Sequence, residues 1–187
     1  MNSHKKFNDK NWLSAVNRYG LTLDPSSLSP TYYFKNQTLG INKNILKALK
    51  EFSIFNETDI RICLHRNASD SYHDMIILHR KGHYYRPHSH NINEETYHLI
   101  EGQLGIVFFN ASGKIIECTK LSRENNIIFR IRTKIFHAVF PLSKFVIFHE
   151  SKNGPFSPGM DVEYPAWEPK AKDLNSNSLD KSISRPL

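Results

Sequence analysis

From residue 60 to residue 149 the hydrophobic positions fall in short β-type runs separated by polar turn residues, the pattern of successive strands. The runs are 61–65, 74–80, 84–90, 96–100, 104–109, 115–119, 127–131, 138–140 and 144–149, and their even spacing predicts an antiparallel sandwich or barrel. Asn110-Ala-Ser-Gly113 predicts a hairpin turn between two of them. Upstream the period becomes helical. Over 42–52, Ile45, Leu46, Leu49 and Phe52 fall on one face and Lys43, Lys47 and Lys50 on the other, which predicts one amphipathic helix packed on the barrel. Asn8 or Asp9 is placed to cap an earlier short helix carrying Trp12, Leu13, Val16 and Tyr19, stopped by Gly20, and 25–30 reads as loop. Three zones follow: an N-terminal extension over 1–40, a barrel domain with its leading helix over 41–169, and a polar tail over 170–187 expected to be disordered. Within the domain, 151–169 is rich in Gly and Pro and is expected to wrap the barrel more than extend its sheet.

Metal-type ligands are concentrated in one stretch. His88 and His90 lie two apart, so in an extended strand both imidazoles point the same way and can grip one ion. The polar segment Asn91-Ile-Asn93 must then bend to bring the Glu95 carboxylate back to them, and His137 supplies a fourth ligand from a later run. Three imidazoles and one carboxylate suit one divalent transition ion, Fe, Mn, Ni, Co, Cu or Zn, rather than Ca. Such a set leaves open positions for water or substrate, unlike thiolate-rich structural zinc sites. Strand parity adds neighbours: Tyr84 and Arg86 share a face with the two histidines, Tyr97 with Glu95, and Arg61, Cys63 and His65 with one another. We therefore expect His65 and Tyr97 as candidate proton-transfer groups, and Arg61, Arg86 and Tyr84 as binding groups for an anionic or sugar-type small molecule.

Gly82, His88, His90, Glu95 and Gly102 match every fixed position of the first cupin motif, G-x5-H-x-H-x4-E-x6-G. The second motif, G-x5-P-x-G-x2-H-x3-N, is kept in spacing only: Asn126, Arg132, Lys134 and Pro141 stand at its other fixed positions and His137 at its histidine. Across 41–169 the chain also resembles the WbuC-type cupin metalloproteins of polysaccharide and O-antigen loci, through RICLH at 61–65, MIIL at 75–78, RPHSH at 86–90, FHE at 148–150, GPF at 154–156 and AWEP at 166–169. The resemblance implies an all-β single cupin barrel, a double-stranded β-helix or jelly roll, here with an N-terminal helical extension. It further implies a bound divalent metal and a setting in surface-sugar metabolism.

Composition adjusts this picture little. The 187 residues are 39% hydrophobic, enough for one sizeable core. The +7 net charge raises nucleic acid as a partner, but Lys and Arg are scattered and no DNA-binding motif occurs, so none is expected. With no apolar leader at the N-terminus and no run of membrane-spanning length, cytoplasmic residence is expected, and Cys63 and Cys118 are expected as free thiols. Cupins commonly pair through sheet edges, so we expect a homodimer. Three functions then compete: a metal-assisted sugar isomerase, epimerase or lyase; an Fe(II) dioxygenase; and a metal-dependent binding module without turnover.

Overall fold

The structure, a computed structural model, describes residues 10–156 and 159–168. The tail over 170–187 and the caps Asn8 and Asp9 lie outside the described residues. Among the described residues two helices, α1 (Lys10–Tyr19) and α2 (Lys43–Asn56), accompany twelve strands. These are β1 (Leu21–Leu23), β2 (Thr31–Phe34), β3 (Ile60–Cys63), β4 (Tyr72–Arg80), β5 (Ser89–His90), β6 (Glu95–Glu101), β7 (Leu104–Phe109), β8 (Ile115–Leu121), β9 (Ile128–Ile131), β10 (Phe136–Pro141), β11 (Phe145–Asn153) and β12 (Val162–Glu163). One sheet has the order β1-β2-β3-β4-β11-β6-β9, a second the order β10-β7-β8, and β12 pairs with β5. All pairings are antiparallel except β2 with β3. The fold is all-β with a helical layer. Among the described residues no helix is long and apolar enough to cross a membrane.

Alternation along the strands builds three apolar layers. Ile60, Ile62, Ile76 and Leu78 face outward from the large sheet onto Trp12, Leu49 and Phe52 of the helices. Cys63, Met75, Ile77, Tyr97, Leu99 and Phe148 face inward onto Leu104, Ile106 and Val139 of the small sheet, filling the barrel. On the small sheet's outer side Val107, Phe109 and Phe140 are covered in part by Trp167.

The extension is built into the fold over its described part. Trp12 is fully buried, 5.0 Å between ring centroids from both Tyr32 and Phe52, while Leu13, assigned above to the same face, is 45% exposed. The 25–30 loop is flanked by β1 and β2, short strands that join the large sheet only through tertiary pairing. α2 begins where Asn42 Oδ1 accepts from the backbone N–H groups of Asn44 and Ile45, and runs four residues beyond the expected end. The predicted strand 84–90 shrinks to β5 plus a bridge from His88 to His137, because Pro87 has no N–H to donate to a ladder.

Two turns place the site. Gly102, between β6 and β7, has φ 87°, and a Cβ there would lie 2.5 Å from the Phe145 carbonyl oxygen. Gly102→Ala combines a disfavoured backbone region with a clash against main chain, so we expect it to cost at least about 2 kcal/mol, read as a lowered thermal midpoint. Before His137 the left-handed residue is Lys134, φ 61°, where the second cupin motif has glycine. Asn126 is not left-handed. The Lys134 N–H donates to His90 O at 2.8 Å, which fastens this turn to the strand carrying the other ligands.

Candidate metal centre

His88 and His90 come from β5 and its approach, Glu95 from the start of β6 and His137 from β10; one ligand atom from each lies within 4.8 Å of the others. The main chain enforces this meeting: His88 and His137 exchange both backbone hydrogen bonds at 2.9 Å, which brings their ring centroids to 4.6 Å. Glu95, His90 and His137 are buried.

The hydrogen bonds decide which nitrogens are on offer. His88 Nδ1 lies 3.0 Å from Arg86 O and His137 Nδ1 2.8 Å from Ile135 O. A carbonyl only accepts, so each Nδ1 carries the proton and each Nε2 presents a lone pair. His137 Nε2 then faces Glu95 Oε2 at 3.2 Å, and His90 Nε2 lies 2.8 Å from Glu95 Oε1 without hydrogen-bond geometry. Lone pairs gathered around a carboxylate are what a cation completes, so these residues fit a divalent transition metal. Burial, reinforced by the charge that His137 would carry, pushes the His88 imidazole down to about 4, which keeps it in the neutral, ligating form.

Around the ligands the inner face of the large sheet is polar. Register places Glu95 opposite Lys152 and Lys152 opposite His73; in the next row Tyr97 lies opposite Glu150 and Glu150 opposite Met75. Lys152 Nζ donates to Glu95 Oε1 at 3.2 Å and lies 3.7 Å from Glu150 Oε1. Burial alone would raise the Glu95 carboxyl, but the Lys152 ammonium beside it holds it well below the usual carboxylate range. Burial and the charge of Glu95 push Glu150 up. For Lys152, burial opposes the charge, yet the two carboxylates outweigh it and raise its pKa.

The other residues singled out from the sequence sort unequally. Tyr97 is inside, where its hydroxyl donates to Glu95 Oε2 at 2.5 Å. Burial, followed by the Glu95 charge, pushes that phenol well above its ordinary value, and its hydrogen bond orients the ligand. Arg61 lies on the inner face with Cys63, whose thiol burial pushes up to about 12; Cys63 and Cys118 are both free. His65 stacks on His73 at 4.1 Å with rings nearly parallel. It also lines a cavity of about 310 Å³ at the β3–β4 loop, with Arg66, Asp70, Tyr72 and Asp74. Arg86 and Tyr84 are not brought to the ligands: Glu168 takes the Arg86 guanidinium through both oxygens, at 2.6 and 2.5 Å, and accepts from Tyr84 Oη at 3.1 Å. The parity that placed them inside fails because 84–87 is not a regular strand. Trp167 packs on Phe109.

Of the site's further residues, Glu150 falls with His149 at the end of an expected strand, where one of the two must face inward. Two were not foreseen: Lys152 lies past the expected end of that strand, and Asp161, fully buried beside His90, sits in the Gly/Pro-rich segment. Carrying the alternation of Val146 and Phe148 onward would have put Glu150 and Lys152 on the inner face; nothing local marks Asp161.

Two layers of sheet, the first cupin motif and the convergence of its three ligands with His137 define a cupin-type barrel with a His/Glu cluster able to hold a metal. One family, described as a domain of unknown function (DUF6016), matches residues 60–121. No curated protein matches the sequence. Among solved structures, the capsular polysaccharide assembling protein CapF from Staphylococcus aureus is 16% identical, with 58% of this chain and 31% of that chain covered and a TM-score of 0.46. Oxalate decarboxylase from Bacillus subtilis is 13% identical over 57% of this chain and 27% of that one, TM-score 0.44. L-ribose isomerase from Cellulomonas parahominis is 10% identical over 63% and 77%, TM-score 0.45. The chain thus spans less than a third of the first two, and identity this low says nothing of activity.

Proposed function

We propose that this chain is a metal-dependent cupin that acts on a sugar or sugar nucleotide in surface-polysaccharide biosynthesis, by isomerisation, epimerisation or elimination. The observation that carries the chemistry is the convergence of His88, His90, Glu95 and His137 beside Glu150 and Lys152, whose side chains are each 12% exposed. The substrate class rests on the resemblance of 41–169 to WbuC-type cupins. A bound divalent ion would polarise a carbonyl or hydroxyl oxygen of the substrate. Lys152 keeps its proton and supplies a fixed positive charge toward an anionic centre, while Glu150 gives or takes a proton at its carboxyl oxygen. Tyr97 holds Glu95 in place.

The test is proton NMR of metal-loaded protein with a panel of nucleoside-diphosphate hexoses and keto-sugars in D2O. We expect deuterium to enter at the carbon beside the carbonyl, or a new sugar signal to grow, and Glu150→Gln to slow this by about 100-fold or more, the scale of a lost general acid–base. Sugar binding without exchange in any member of the panel points to the binding module instead, and O2 consumption dependent on iron points to the dioxygenase.

A further inference from the structure

We propose that Asp161 is a positioning residue for His90, carried to the metal centre by a strap, residues 159–168, that Glu168 clasps onto the barrel. The inference rests on the metal reading above and extends the centre to the C-terminal side of the described chain.

His90 differs from the other two imidazoles. His88 and His137 each anchor Nδ1 on the carbonyl two residues before, Arg86 O and Ile135 O. The matching carbonyl for His90 is His88 O, which already accepts the His137 N–H at 2.9 Å. His90 Nδ1 is buried without a hydrogen-bond partner, and Asp161 Oδ2 lies 3.3 Å from it. Asp161 is itself fully buried, with neither carboxylate oxygen hydrogen-bonded. A buried carboxylate is costly unless something uses its charge. An imidazole that ligates through Nε2 must carry its proton on Nδ1, and an N–H beside a carboxylate is the arrangement that fixes ring orientation and raises ligand basicity. Each group supplies what the other lacks.

The main chain delivers Asp161 to this place. β12 pairs with β5 so that Val162 lies opposite His90, and Asn91 N–H donates to Asp161 O at 2.9 Å. The far end of the strap is pinned by Glu168 on Arg86 and Tyr84, while the Arg86 guanidinium sits 3.6 Å over the Tyr164 ring. Arg86 therefore serves the centre by holding the strap.

The experiment titrates Co(II) into chelator-stripped full-length protein against a competing chelator, with the visible spectrum of the bound ion recorded. For Asp161→Asn we expect affinity to fall about 10- to 100-fold, the range for an outer-shell partner of a metal-bound histidine, and the bands to move. Asp161→Glu should recover part of both. Glu168→Gln leaves Asp161 in place but loosens the clasp, and should weaken Co(II) binding several-fold; it keeps the test open should Asp161→Asn not fold. Wild-type affinity and spectrum in Asp161→Asn, or in Glu168→Gln if that variant alone folds, overturn the inference. A wild-type protein that takes up no Co(II) removes the metal centre itself, and this inference with it.

Discussion

Glu95→Gln should abolish tight metal binding, lowering affinity for Mn(II), Co(II) or Zn(II) by well over the roughly 100-fold upper range of outer-shell changes. The carboxylate is the only anionic member of the set, and it faces His90 Nε2 at 2.8 Å through one oxygen and His137 Nε2 at 3.2 Å through the other. The substitution keeps the volume but places a neutral amide among nitrogens that need a cation. Tyr97 also loses a charged acceptor for its 2.5 Å hydrogen bond, and Lys152 one of its two carboxylates. Competition with a chromophoric chelator reads the affinity, and the thermal midpoint in chelator shows that the barrel remains. Retained affinity in a folded variant would show that Glu95 is not a ligand.

Lys152→Met should have the largest effect on stability, about 3–5 kcal/mol in chelator at pH 7, the usual result of removing one partner from a buried ion pair. Met fits the volume, but Glu95 and Glu150, diagonal neighbours on adjacent strands of one sheet face, are then left with no positive charge between them. Urea unfolding measures the loss. A divalent metal should restore part of it, because the ion takes over the Glu95 charge and binds the folded state alone. A variant as stable as wild type in chelator would mean that the ammonium does not hold these carboxylates together.

The strands of the barrel could be read from short β-type runs bounded by turn residues; 104–109 coincides with β7 to the residue, a continuous apolar run buried at every position. His88 and His90 were legible because a two-residue spacing within a strand fixes side-chain direction, and Glu95 and His137 because they stand at the ligand positions of the two cupin motifs. Legibility ended where tertiary contacts replace local pattern. β1 and β2 are three and four residues long and gain their place by pairing with each other and, for β2, with β3. Arg86 was assigned by parity to the interior, but Pro87 releases its segment from the ladder and Glu168, 82 residues away, takes the guanidinium. Lys134 adopts a left-handed conformation where the second cupin motif has glycine, and its N–H bond to His90 O compensates. Asp161 is recognisable only once β12 lies beside β5.

Elemental analysis by plasma mass spectrometry, on protein purified without a histidine tag or chelator, tests the metal centre most directly. The wild type should carry roughly one transition-metal ion per chain, and the His88→Ala, His137→Ala double variant, prepared in parallel and shown to be folded, should carry almost none. Equal metal content in the two proteins, or none in the wild type even after reloading with Fe(II), Mn(II), Co(II), Ni(II), Cu(II) or Zn(II), would contradict the account.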